Sequence, residues 1–133
     1  MSVPVKPPVI VWDNGVITKL GPCSIEEVLP DLAPLLVQGE RVLLAFKDVR
    51  DYVAFTNKRI IAVNLKGLTG KKRDYTSMPY RKFHLWTIET SSALDQDSRL
   101  EVNISTLAKL QFEFRGNVDM MQVAHVISVH SLG

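Results

Sequence analysis

Residues 52–80 read YVAFTNKRIIAVNLKGLTGKKRDYTSMPY, and the organisation of the chain follows from them. Tyr52–Phe55 and Arg59–Leu65 are rich in β-branched and aromatic residues, which suit a pleated, half-buried surface. They flank a tight turn, Thr56-Asn57-Lys58-Arg59. Asn57 tolerates positive φ and is expected to supply the reversal. A basic loop bracketed by Gly67 and Gly70 then leads into a short strand, Lys71–Ser77, closed by Met78-Pro79-Tyr80 because proline has no amide to donate. This stretch predicts three consecutive antiparallel strands.

Upstream, Val42, Leu44 and Phe46 alternate with Leu43, Ala45 and Lys47, which predicts a strand of about eight residues from Arg41. Val49-Arg50-Asp51 turns it back toward Tyr52. Before it, Ser24–Gly39 carries helix signals. Ser24 and Glu27 form a capping box, Ile25, Val28, Leu29, Leu32, Leu35 and Leu36 make one apolar stripe, and Gly39 offers a left-handed stop. Pro30 and Pro34 each remove a backbone donor, so a kink or two short helices are expected. Residues 1–16 form an arm with Pro4, Pro7 and Pro8, then Val9–Trp12, Asp13-Asn14-Gly15 and Val16. Asn-Gly between β-branched residues signals a hairpin. An extended tail draped over the domain is the equal alternative.

Downstream, Lys82–Thr90 is a strand whose phase slips between Phe83 and Trp86, so a β-bulge near His84 or Leu85 is expected. Leu100, Val102 and Ile104 alternate with polar residues, as do Leu110, Phe112 and Phe114, which describes an antiparallel sheet with one face solvated. Gly116-Asn117 precedes a helix from Val118 to about Ser131. Its apolar residues wrap most of the circumference, and a helix of that kind is buried on more than one side.

With 133 residues the chain fits one domain. Its 46% apolar and 23% charged residues are ordinary for a soluble globular protein. A net charge of +2 gives no compositional case for nucleic-acid binding. The single cysteine, Cys23, cannot pair within the chain and fits a reducing compartment, hence a cytoplasmic location. No apolar run is long enough to span a membrane.

Glu40, Arg50-Asp51, Phe55-Thr56-Asn57-Lys58-Arg59, Gly67-Leu68-Thr69-Gly70-Lys71-Lys72, Pro79-Tyr80 and Glu89-Thr90 together closely resemble the bacterial pleckstrin-homology (PH) domain family. The likeness covers roughly residues 17–131. It implies a mainly β, α+β fold: a partly open barrel of seven antiparallel strands in two bent sheets, capped by the C-terminal helix, with an additional N-terminal helical segment. Residues 17–133 would then be the domain and 1–16 the arm. The resemblance also implies self-association into rings and no enzymatic activity.

The remaining motifs carry no chemistry by spacing. Gly67–Lys72 has two residues between its glycines and lies between strands, whereas a Walker loop needs four and opens a helix. His84, His125 and His130 lack metal-ligand spacing. Cys23 has no evident base beside it, and Asp95 and Asp97 lack the rest of a calcium loop. Trp12, Tyr52, Tyr75, Tyr80 and Trp86 offer material for an aromatic groove, although aromatics in a small β domain are usually core. No catalytic, cofactor-binding or metal site is expected. Eukaryotic PH domains that bind phosphoinositides use a basic loop between their first two strands. Here that connection, Lys47–Asp51, sets two acids against two bases, and an inositol phosphate needs several converging donors.

The expected function is a non-catalytic binding module that forms a homo-oligomer and meets a protein partner. Its self-association candidates are Trp12 and Val16 in the arm, with Met120, Val123 and Ile127 on the last helix. The alternative is peripheral binding of anionic membrane lipid or a phosphate ligand through Lys66, Lys71, Lys72 and Arg73.

Overall fold

A computed structural model describes residues 17–66, 72–91, 96–105 and 108–132. They form eight strands and two α-helices: β1 (Ile17–Pro22), α1 (Ile25–Leu32), β2 (Val42–Lys47), β3 (Tyr52–Thr56), β4 (Arg59–Lys66), β5 (Lys72–Pro79), β6 (Leu85–Glu89), β7 (Ser98–Ser105), β8 (Ala108–Phe114) and α2 (Met120–Leu132). The sheet runs β5-β4-β3-β2-β1-β8-β7-β6, so among the described residues β5 and β6 are its edges and the barrel is partly open.

The seven expected strands are present as β2 to β8, and β1 is an eighth. It pairs antiparallel with β2 and parallel with β8, joining two otherwise antiparallel sheets. Its pattern hides it. Ile17 and Leu20 are both buried although three apart, because Lys19 has φ 57 and the pairing to β8 shifts register between them. A period of two cannot register such a strand.

β3 and β4 explain their near-continuous apolar runs by being covered on both faces. Val53, Phe55, Ile60 and Ala62 face the barrel core. Ala54, Ile61 and Val63 face outward, where Val28 and Leu32 of α1 cover them. The helical segment divides as its prolines require: α1 contains Pro30 and ends at Leu32, and a 3-10 turn, Ala33–Leu35, follows. The Ser24 amide donates to Glu27 Oε2 at 3.0 Å, and Gly39 has φ 82.

β7 and β8 turn Leu100, Val102, Leu110, Phe112 and Phe114 inward. Their solvated face carries Arg99, Glu101, Lys109 and Gln111, with Gln111 Nε2 donating to Glu101 at 2.8 Å. The expected bulge near His84 is absent. Tyr80–Lys82 is instead a 3-10 turn, and β6 begins only at Leu85, with Trp86 and Ile88 in one phase. The apparent slip is therefore the boundary between turn and strand. α2 starts at Met120 and not Val118, because the Asp119 carboxylate accepts from the Met121 and Gln122 amides and caps it. The helix then packs against the 3-10 turn and β6.

Candidate functional site: the β3–β4 turn, Tyr80 and the last helix

Thr56 opens the turn with its side chain. Its Oγ1 accepts from the amides of Lys58 and Arg59, each at 3.0 Å, and donates to Glu40 Oε2 at 2.8 Å. Asn57 does not take positive φ; among the described non-glycine residues only Lys19 does. Its amide works instead as a latch, donating to the Gly39 carbonyl at 3.0 Å while accepting from the Arg41 amide at 2.8 Å. Side-chain hydrogen bonding here replaces the backbone freedom for which asparagine was expected.

Behind the turn lies a buried ion pair. Glu40 has 0% side-chain exposure. Arg59 grips it with Nε at 2.8 Å and Nη2 at 2.9 Å, and reaches the Leu35 carbonyl at 2.8 Å and Ser77 Oγ at 3.0 Å. Burial pushes the Glu40 carboxyl up, but hydrogen bonds from Arg59, Thr56 and the Val37 amide outweigh it and hold the group below its ordinary value. The pair clamps the segment after α1 to β4 and β5.

Tyr80, also buried, ties the next element to the same turn. Its hydroxyl donates to the Thr56 carbonyl at 2.7 Å, and its amide donates to the Lys58 carbonyl at 3.3 Å. Phe83 meets its ring edge-on at 5.7 Å, and His130, near the end of α2, stacks on it at 6.1 Å. These bonds bring the β3–β4 turn, the 3-10 turn and the tip of α2 around one cavity of about 470 Å³, lined among others by Lys58, Arg59, Ser77, Pro79, Arg81 and His130.

The far end of the β4–β5 hairpin is organised by Asp31. It accepts from the hydroxyls of Tyr52 and Tyr75 and pairs with Arg73 at 2.9 Å. Arg73 therefore serves to fasten α1. Lys72 is exposed, Lys66 ends β4, and Lys71 lies outside the described residues. The neighbouring Lys47–Asp51 turn spends its polar groups internally. Asp48 Oδ1 accepts from the Arg50 and Asp51 amides, Arg50 Nη2 donates to the Leu65 carbonyl, and buried Asp51 accepts from the Leu65 amide. No set of donors converges outward from it.

Of the self-association candidates, Trp12 and Val16 lie outside the described residues. Met120, Val123 and Ile127 belong to the chain's own core. Their burial is intramolecular, so any partner of α2 must meet other positions. Among the described residues no three His, Cys, Asp or Glu side chains gather as a metal site. Cys23 is half-buried, and burial followed by nearby Glu27 pushes its thiol up, opposite to what a nucleophile needs.

The model of the bacterial PH domain family matches residues 11–131. The chain belongs to that family. Uncharacterized protein YjqA of Bacillus subtilis (strain 168) is 34% identical over 117 residues, covering 86% of this chain and 94% of its own. Uncharacterized protein YozO of the same strain is 31% identical, over 74% of this chain and 85% of its own. A crystal structure of a DUF1696 family protein with a pleckstrin-homology domain, from Shewanella loihica PV-4, superposes with a TM-score of 0.76 at 30% identity, covering 86% of this chain and 98% of that one. A pleckstrin homology domain from Shewanella amazonensis SB2B gives 0.66 at 33% identity, over 84% and 90%. In this bacterial PH domain, Glu40, Thr56-Asn57-Lys58-Arg59 and Pro79-Tyr80, three of the strings behind the resemblance, converge in the network just described. No single spacing announces that convergence. Their joint presence was the one signal available.

Proposed function

We propose that this bacterial PH domain is a non-catalytic assembly module that self-associates into a homo-oligomer and presents repeated copies of one surface to a protein partner, in the cytoplasm. The observation that carries the reading is the outer face of α2. Met121 is 67% exposed, Val129 47% and Leu132 83%. With His125 they follow one another at helical spacing, on the side opposite Val123 and Ile127. Exposed large apolar residues aligned on one helix face mark an interaction surface better than scattered ones.

The sheet edges add a geometric reason for a ring. β5 and β6 are different surfaces, so a β5-to-β6 contact between copies would be head-to-tail, and head-to-tail contacts form a ring where the rotation from copy to copy closes. Leu85 on β6 is exposed close to α2, which extends the apolar surface. Trp12 and Val16 stay with this reading as contributors from the arm. The lipid or phosphate alternative has less support, because Arg73, one of its four cations, is engaged by Asp31.

Light scattering on the full chain across a concentration series tests the proposal. The expected mass is a multiple of 14.9 kDa. A monomer mass persisting at high micromolar concentration would overturn it.

A further inference from the structure

We propose that the cavity between the β3–β4 turn, the 3-10 turn and the tip of α2 binds a small phosphate monoester, held by Lys58 and Arg81. This site lies at the opposite end of the β4–β5 hairpin from the basic loop: Arg59 pairs with Pro79 at the cavity, and Lys66 with Lys72 at the loop. It is also separate from the outer face of α2.

Charge comes first. Arg59 and Glu40 line the cavity, but each neutralises the other through two short hydrogen bonds. Lys58 and Arg81 also line it, are exposed, and have no ion-pair partner among the described residues. Two uncompensated cations thus face one concavity. A phosphate monoester carries a charge of about −1.5 to −2 at neutral pH and offers three acceptor oxygens, which matches that excess.

Pre-organisation comes second. The turn carrying Lys58 and the 3-10 turn carrying Arg81 are joined by the two Tyr80 hydrogen bonds, to the Thr56 and Lys58 carbonyls. The cations therefore stand on elements held together before any ligand arrives, which reduces the ordering cost of binding. Ser77 Oγ accepts from Arg59 Nη1 and so has its own proton to donate toward the cavity.

Size and lining come third. About 470 Å³ falls within the range of small-molecule sites. Val37, Pro79 and the His130 ring supply a wall for the organic part of an ester, and His130 is seated by its stack on Tyr80. Guanidinium and ammonium groups and apolar surface lining one cavity suit a phosphorylated small metabolite better than a bare ion.

The test is an amide NMR titration of the full chain at constant ionic strength, using glycerol 3-phosphate, inorganic phosphate, glycerol and succinate as probes. The proposal expects saturable shifts at Lys58, Arg81 and His130, stronger binding of glycerol 3-phosphate than of inorganic phosphate, and none of glycerol. Lys58→Ala/Arg81→Ala, both surface changes, should leave the spectrum folded and weaken binding by at least about tenfold, given the strength of charge-assisted hydrogen bonds. Absence of saturable shifts, shifts centred on Lys72 and Arg73, equal binding of succinate, or shifts reproduced by dilution alone would each overturn it, as would a double variant that binds unchanged.

Discussion

The two faces of α2 are made of similar residues and do different things. Met120, Val123 and Ile127 on the inner face are buried among Leu20, Phe114 and the rest of the barrel core. Met121, Val129 and Leu132 on the outer face meet solvent in the single chain. An all-round apolar helix is thus half explained by its own fold, and the unexplained half is where a partner belongs. Hydrophobicity counted along a helix measures how much surface must be covered. Which side the chain covers itself is decided by the capping at Asp119 and by the seat that Tyr80 provides.

That contrast breaks most easily from the inside. Ile127→Ala should cost about 4 kcal/mol in urea denaturation, the loss of a fully buried side chain plus the cavity it leaves. Met121→Ala, a comparable truncation on the exposed face of the same helix, should change stability by less than about 0.5 kcal/mol. Equal costs for the two would erase the distinction between the faces. Glu40→Gln comes next, at about 3 kcal/mol by the same measurement, because it leaves the Arg59 charge without its counterion beneath the helix's seat.

The same carboxylate gives the contrast a pH signature. Glu40, and Asp31 at the far end, are both held below their ordinary values. A depressed carboxyl contributes stability that is fully present above its unfolded value, about 4.3 for Glu and 3.9 for Asp, and is lost as pH falls through its lower folded value. Melting temperature should therefore fall as pH drops below about 4, and Glu40→Gln should flatten that fall. Tyr80→Phe is a smaller change. Losing the hydroxyl that donates to the Thr56 carbonyl leaves that buried acceptor short of a partner, at about 1 kcal/mol by chemical denaturation.

Much of the fold was legible because its strands keep simple periods. Leu100, Val102, Leu110, Phe112 and Phe114 alternate with charged neighbours, and the Thr56–Arg59 turn sits between two β-rich runs. β1 was not legible, since Lys19 at positive φ puts Ile17 and Leu20 on one side at a spacing no regular strand shows. The start of β6 was misread as a bulge because Phe83 reaches the core from a turn. The site was less legible still. Glu40 and Arg59 are 19 residues apart, and their meeting depends on the chain doubling back after Gly39. Met120, Val123 and Ile127 are core, and periodicity does not reveal it, because it marks an apolar helix without saying which of its faces the barrel takes.

The outer face of α2 is the most direct place to test the account. Sedimentation velocity should compare the natural chain with Met121→Glu/Val129→Glu at matched concentration, with circular dichroism run on both. The account predicts an oligomer for the natural chain and a folded, equally stable monomer for the variant. A variant that sediments as the same oligomer would contradict the assignment of this face.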